Sequence, residues 1–166
     1  MAGMTIATGP VTQLCWVTED IAATEQFLST NFGVVNWTRL PDIHFGPDTC
    51  TLHGRPADFT VHVSLGYLGD LQLEIIQPVS GESIYTEFLA SSPPGLHHLC
   101  FEVEDMSAAL ERAAAAGVEV VQAGSMMGGG MEFAYVDGSA HGVPYVELAY
   151  LGEDIRAFYE AIKASS

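Results

Sequence analysis

Gln13, Glu74, His98 and Glu147 are the residues whose types and settings point to chemistry. Each is a polar residue inside an apolar, strand-like run: VTQLCWVT, LQLEII, LHHLCFEV and YVELAY. Strand side chains alternate between faces. Leu14 and Trp16 therefore share one face and leave Gln13 with Cys15 on the other. Leu99, Phe101 and Val103 oppose His98 and Cys100; Leu71, Leu73 and Ile75 oppose Gln72 and Glu74; Val146, Leu148 and Tyr150 oppose Glu147. Two carboxylates balance a divalent cation, and an amide and an imidazole complete four ligands. Such a set suits one Zn²⁺, Co²⁺, Ni²⁺ or Mn²⁺ ion in five- or six-coordinate form, leaving room for water or substrate. A single histidine argues against oxygenase chemistry, which commonly takes two histidines and a carboxylate.

Taken singly, a strand His or Gln is more often a hydrogen-bonded core residue, and a strand Glu more often faces solvent. The four gain weight because they occupy matching places in a repeat. With Gln13 placed over His98, an aspartate follows seven residues later in both halves, Asp20 and Asp105. A glycine follows at a similar distance, Gly33 and Gly117, and leads into a valine-bearing segment. Each half then closes on the strand that carries its glutamate, Glu74 or Glu147.

The elements that must position these residues follow from local signals. Val11 to Thr18 reads as a strand, and Asp20 opens a helix with Ile21, Thr24, Phe27 and Leu28 at helical spacing, ended by Gly33. Val34 to Thr38 reads as a short strand, and residues 41–57, with three prolines and two glycines, as a loop. Phe59 to Leu65 and Leu71 to Gln77 form a hairpin turning at Gly69-Asp70, and Pro78 ends it. Ser83 to Ala90 is a connecting helix. The second half repeats the order: strand Leu96 to Val103, a helix from Asp105 to Gly117, strand Val118 to Gln122, a loop over 124–130, and strands Met131 to Val136 and Val143 to Tyr150. A last helix, Glu153 to Ile162, carries Ile155, Phe158, Tyr159 and Ile162 on one stripe, which this domain or a partner chain must cover. The expected fold class is α+β: two tandem βαβββ modules forming a curved mixed sheet around one cleft. Residues 1–166 then form one domain, with modules at 10–78 and 95–150, a connector at 79–94 and the terminal helix at 151–166. His97 shares the face of Leu99 and Phe101 and reads as structural. Cys15 and Cys100 read as small buried residues. Met126, Met127 and Met131, around three consecutive glycines, read equally as a lid or a plain loop.

Composition narrows the function. Five basic residues (Arg39, Arg55, Arg112, Arg156 and Lys163) face 21 acidic ones, for a formal charge of −16. No two basic residues are neighbours, which excludes a nucleic-acid surface. The same scarcity argues against a ligand with several phosphates. No apolar run reaches the roughly 20 residues of a membrane span, so no membrane partner is expected. Three cysteines suggest no disulfide framework. A cytoplasmic homodimer acting on a small-molecule substrate is the expectation.

Over about residues 10–150 the chain resembles the vicinal oxygen chelate superfamily, which includes glyoxalase I, methylmalonyl-CoA epimerase, extradiol dioxygenases and fosfomycin-resistance proteins. GLHHLCFEVED (Gly95 to Asp105) is close to the epimerase segment whose second histidine binds metal, which places a ligand at His98. EIIQP (Glu74 to Pro78) and PYVELAY resemble the segments that carry the family's second and last ligands. The first ligand is histidine in many members and Gln13 here, as in some glyoxalases. The resemblance implies chelation of adjacent substrate oxygens, and stabilisation of the enolate formed when the neighbouring carbon loses a proton. A base is then required. His62, alternating away from Val61 and Val63, falls near where the epimerases place a catalytic carboxylate, and histidine titrates near neutral pH. Glu147 is the other candidate, since glyoxalases use a ligand glutamate in this way. Tyr135 is a further candidate cleft residue. An isomerase, epimerase or lyase acting on a small α-hydroxy- or α-keto-carbonyl compound is one expectation. The alternative is a binding protein that sequesters a small molecule without metal, as bleomycin-resistance relatives do. Four intact polar positions favour the enzyme.

Overall fold

A computed structural model describes residues 4–166. Ten strands form one mixed sheet: β1 (Val11–Val17), β2 (Thr38–Phe45), β3 (Cys50–Leu52), β4 (Arg55–Pro56), β5 (Phe59–Leu68), β6 (Leu71–Ser80), β7 (Gly95–Glu102), β8 (Val120–Met126), β9 (Met131–Asp137) and β10 (Tyr145–Leu151). Among the described residues four α-helices accompany it: α1 (Ile21–Phe32), α2 (Ile84–Ser91), α3 (Met106–Ala115) and α4 (Glu153–Ala164). The strand order is β2-β5-β6-β1-β7-β10-β9-β8-β3-β4. It is symmetric about its middle: β1 and β7 pair antiparallel, and each is flanked by a parallel partner, β6 or β10. The glutamate strands of both halves thus lie next to the Gln13 and His98 strands.

Alternation sorts the side chains as expected. Leu14, Trp16, Leu73 and Ile75 pack on one face under Ile21 and Leu28 of α1. Phe101, Val103 and Leu148 pack under Met106 and Ala109 of α3 on the same outer side. Asp20 caps α1 by accepting from the Ala23 N–H at 3.0 Å, and Asp105 does the same for α3 from Ala108 at 2.9 Å. Gly33 ends α1 in the left-handed conformation, φ 76°. On the inner face, Cys15, Val17, Val61 and Ile76 meet Ile84, Tyr85 and Phe88 of α2.

The structure corrects four local expectations. Residues 34–37 precede β2 and are not a strand, and residues 41–57 are not a loop. β2 continues through Pro41 to Phe45, since an edge strand tolerates proline where no partner needs its N–H. β3 and β4 then form a hairpin through His53 and Gly54, both at positive φ, and it pairs with β8 on the far edge of the sheet. This crossing closes one end of the curve, where Phe45 stacks on Phe59 at 4.9 Å and meets Phe133 at 5.4 Å. Pro78 does not end β6, because pairing with β1 stops at Ile76 and leaves that side free. Gly124 belongs to β8, not to a loop: a Cβ there would lie 2.6 Å from the Phe133 ring, so the strand needs glycine.

The domain itself covers most of the terminal stripe, leaving Phe158 exposed. Ile155 and Ile162 are buried, and Ile155 packs with Cys100, Ala149 and Leu151 on the inner face. α4 therefore covers the end of the cleft opposite α2. No helix among the described residues is long and apolar enough to cross a membrane.

Candidate metal centre

His98 is fully buried at the middle of the inner face, and three other polar side chains converge on its Nε2. Glu147 Oε2 lies at 3.1 Å, Gln13 Oε1 at 3.3 Å and Glu74 Oε2 at 3.5 Å. The structure thus brings together all four residues singled out from the sequence. Burial opposes a proton on His98, but hydrogen bonds to Glu147 and Glu74 outweigh it and hold its pKa up at about 9. The space between these donors therefore favours positive charge. Two carboxylates, an amide oxygen and an imidazole nitrogen fit a divalent ion there.

Cys15 Sγ lies within 4.8 Å of donor atoms of Glu74 and His98. By distance alone it rivals Glu147. Burial, followed by the negative charge of Glu74, pushes the thiol pKa well up in the metal-free protein. Glu147, in direct contact with His98 Nε2, is the better fourth donor.

Two neighbours orient the donors. Gln72 Nε2 donates to Tyr67 Oη at 2.9 Å, which leaves Gln72 Oε1 to accept from Gln13 Nε2 at 2.6 Å. Gln13 is thereby turned with its oxygen toward the cluster. With its amide reversed, Gln13 would instead donate to Glu147 at 3.1 Å and Glu74 at 3.3 Å. The pair stays bonded in that orientation once the Gln72 amide turns with it, its oxygen then accepting from the Tyr67 hydroxyl. The metal-free site thus accommodates either orientation, and a bound cation would select the one with the Gln13 oxygen inward.

His97 is the second orienting residue, and here the sequence reading fails. β7 carries a bulge: Cys15 pairs with His98 and Trp16 with Leu96, so His97 has no partner and turns inward. It does not share the face of Leu99 and Phe101. Its ring sits between Tyr145 at 4.7 Å and Phe88 at 5.1 Å, and its Nδ1 is 2.9 Å from His98 Nδ1. Burial, then the charge on His98, lowers its pKa to about 2, so it stays neutral and accepts a hydrogen bond from His98 Nδ1–H. This bond leaves His98 Nε2 facing the carboxylates.

His62 is not part of this assembly. It lies on β5 opposite Gln77, on the outer face, where its Nδ1 accepts from the Asp42 N–H at 3.0 Å. Val61, Val63 and Leu65 point inward instead, and Leu65 is the partner of Glu74. The register shows why: once the hairpin turns at Gly69-Asp70, odd positions of β5 share the face of Glu74.

Glu74 and Glu147 of the cluster line a cavity of about 410 Å³ whose walls include Leu40, Val63, Phe133 and Ile155. Tyr135, left loosely placed by the sequence, lines it; its ring is 5.0 Å from His98, and its hydroxyl bonds Tyr85 at 2.8 Å. Burial raises both phenol pKa values well above the usual, so both stay protonated. Met126, Met127 and Met131 also line this cavity, the first two at the β8–β9 connection. A second, polar cavity of about 280 Å³ reaches Gln13 and Glu147 from the side of Tyr67, Arg156 and Lys163.

A family model described as the Glyoxalase/Bleomycin resistance protein/Dioxygenase superfamily matches residues 12–135. A curated relative, the ethylmalonyl-CoA/methylmalonyl-CoA epimerase of Cereibacter sphaeroides, is 36% identical over 75 residues. The match covers 43% of this chain and 56% of that relative, little more than half its length. Among solved structures, methylmalonyl-CoA epimerase from Mycobacterium tuberculosis superposes with a TM-score of 0.64 at 18% identity, covering 95% of this chain and 97% of that one. A variant of the Streptomyces coelicolor methylmalonyl-CoA epimerase in complex with 2-nitronate-propionyl-CoA gives 0.62 at 20% identity, over 85% and 96%. A family match that takes in three of the four clustered residues, on a sheet of matching shape, leaves one conclusion: the chain belongs to the glyoxalase/bleomycin resistance/dioxygenase superfamily.

Proposed function

We propose that this protein is a divalent-metal-dependent isomerase of the epimerase type, acting on a small α-hydroxy- or α-keto-carbonyl compound. The observation that carries the reading is the convergence of Glu147, Gln13 and Glu74 on His98 Nε2 within 3.1–3.5 Å, at the floor of a cavity. Burying two carboxylates beside one histidine costs several kcal/mol unless a cation offsets it. A pocket that merely sequestered a ligand would gain nothing from that arrangement. The epimerases among the relatives support the reaction type.

When bound, the ion would supply the positive charge that lowers the cost of an enolate on the substrate. The chain's own residues do the rest. Gln13, Glu74 and His98 hold the site, with Gln72 hydrogen-bonded to the first and His97 fixing the orientation of the third. Glu147, buried and facing the cavity, is our assignment for the base that takes the proton and returns it. The apolar walls keep bulk water from the carbanion, and the Tyr135 hydroxyl lies where it can donate to the substrate. The proposed assembly is a cytoplasmic homodimer, its stoichiometry to be read by light scattering.

The test is metal content together with deuterium uptake from D₂O at the carbon next to the carbonyl, across a panel of small hydroxyketones. One ion per chain and exchange that is lost in Glu147→Gln support the proposal. Full exchange in protein stripped of metal would overturn it.

A further inference from the structure

Resting on the reading above, the walls of the main cavity narrow the substrate further. Apart from Asp154 at the exposed start of α4, its charged groups gather where Glu74 and Glu147 lie, and the Tyr85 and Tyr135 hydroxyls bond each other at 2.8 Å. The wall above is hydrocarbon: Leu40, Ile43, Phe45, Val61, Val63 and Phe133. The edge strand β2 is shaped to provide it. Leu40 and Ile43 are three residues apart and in a regular strand would face opposite ways. A bulge at Pro41-Asp42, with Asp42 at φ 54°, resets the alternation so that Leu40, Ile43 and Phe45 all point in. Met127 and Phe158, the most exposed of the apolar lining side chains, mark the mouth.

No arginine or lysine among the described residues lines this cavity. Arg156 and Lys163 line the adjoining polar cavity, which shares Met131, Glu147 and Tyr159 with this one, and both are already paired, with Glu102 at 2.9 Å and Asp70 at 2.7 Å. An anionic tail placed in the apolar chamber would lose its water and gain no partner, close to two buried carboxylates. A hydrocarbon arm would gain instead from leaving water. At about 410 Å³ the chamber is near the small end of the range for small-molecule sites.

We infer that the substrate is an uncharged compound with a pair of chelating oxygens at one end and an apolar alkyl or aryl arm at the other, the arm lying against Leu40, Ile43, Val61 and Val63. Specificity then resides in the β2–β5 wall, and the oxygens lie at the end of the chamber where Glu74 and Glu147 of the cluster are exposed to it.

Alkyl hydroxamates are suitable probes because each presents two adjacent oxygens on a chain of chosen length. Protein loaded with Co²⁺ is titrated with acetohydroxamate, butanohydroxamate, hexanohydroxamate and octanohydroxamate, and the visible absorption of the ion reports binding. Affinity should rise about fourfold per methylene, the factor equivalent to about 0.8 kcal/mol, until the chamber is full. The monohydroxamate of succinic acid, with a carboxylate at its tail, should bind at least about tenfold more weakly than butanohydroxamate, as expected for an unpaired buried charge. Val63→Phe and Ile43→Phe should each flatten the rise with chain length, weakening octanohydroxamate far more than acetohydroxamate, with cobalt content unchanged. A flat series in the parent protein, or tighter binding of the carboxylate-tailed probe, would overturn the inference and leave the metal reading standing. Cobalt that binds but answers to no hydroxamate would overturn the chelation reading, and this inference with it.

Discussion

At His98 two demands oppose each other: burial expels charge, and the glutamates on either side require it. The consequence is a specific pH dependence. In metal-free protein His98 holds its proton to about pH 9, whereas an unfolded histidine releases it near 6.5. Its contribution to stability is therefore complete below pH 6.5 and lost as pH rises through 9. His97 works in the opposite direction. Its folded pKa, about 2, lies below the unfolded value, so stability falls as pH drops below 6.5 and the unfolded chain gains a proton. From this pair, the thermal midpoint of the metal-free protein should be highest near pH 6.5. A bound ion displaces the His98 proton, so the alkaline decline should vanish on metal loading, and a midpoint scan over pH with and without metal tests it. The orienting residues yield a second prediction at this scale. Gln72→Leu and His97→Phe leave all four donors in place but release the groups that aim them. Each should lower metal affinity by roughly 10–100-fold, as outer-shell changes do. Competition with a chromophoric chelator measures this, and affinities equal to the parent's would remove both residues from the site.

Among the elements, what the sequence revealed and what it hid have separate physical causes. Gln13, Glu74, His98 and Glu147 were legible because each faces away from the apolar residues that follow it in its strand, at a matching place in the repeat. His97 was not, because a bulge breaks the alternation on which its placement relied. His62 was misplaced for a different reason: its strand is regular, but its face follows from pairing with the Glu74 strand, and the partner of Glu74 is Leu65. Counting back from the Gly69 turn would have found this. Residues 41–57 misled because proline and glycine signal a turn wherever they occur, and only the sheet order shows Pro41 on an open edge. Of the stripe on α4, Ile155 and Ile162 are buried by the domain itself, while Phe158 stays exposed. Ile155 joins the two roles of that helix, since it is buried against Leu151 and also lines the apolar cavity. Ile155→Ala should lower unfolding stability by about 2–4 kcal/mol, the usual cost of a cavity left by a buried isoleucine. It should leave metal stoichiometry unchanged, because no donor sits on α4. Urea denaturation measures the loss; a change below about 0.5 kcal/mol, typical of an exposed site, would show that α4 does not seal the cleft.

For the whole molecule, charge and relationship point in different directions, which makes the choice of substrate testable. The named relatives are epimerases of coenzyme A esters, and their fold is shared here. Coenzyme A carries several phosphate groups, and proteins usually meet these with Arg or Lys. Here the formal charge is −16, with five basic residues in the whole chain. Arg39 is bound to Glu25 on the outer face, and Arg112 reaches the backbone carbonyl of Ile6. Arg156 and Lys163 border the polar cavity beside the cluster, nearer to it than their helical positions implied, yet Asp70, Glu102, Glu147 and Glu160 line that same cavity. Four carboxylates against two cations leave it negative. Arg55 sits on β4 at the sheet's far edge, where one side chain cannot neutralise several phosphates. Methylmalonyl-CoA is therefore expected to be a poor ligand, and most so at low ionic strength, where repulsion is least screened. The measurement is epimerisation and equilibrium binding of methylmalonyl-CoA by metal-loaded protein at low salt and again at high salt. No turnover above background at low salt, with any weak binding improving as salt is added, is the expected result. Efficient turnover at low salt would show that inherited specificity outweighs the charge of the chain, and would make the coenzyme A ester the substrate after all.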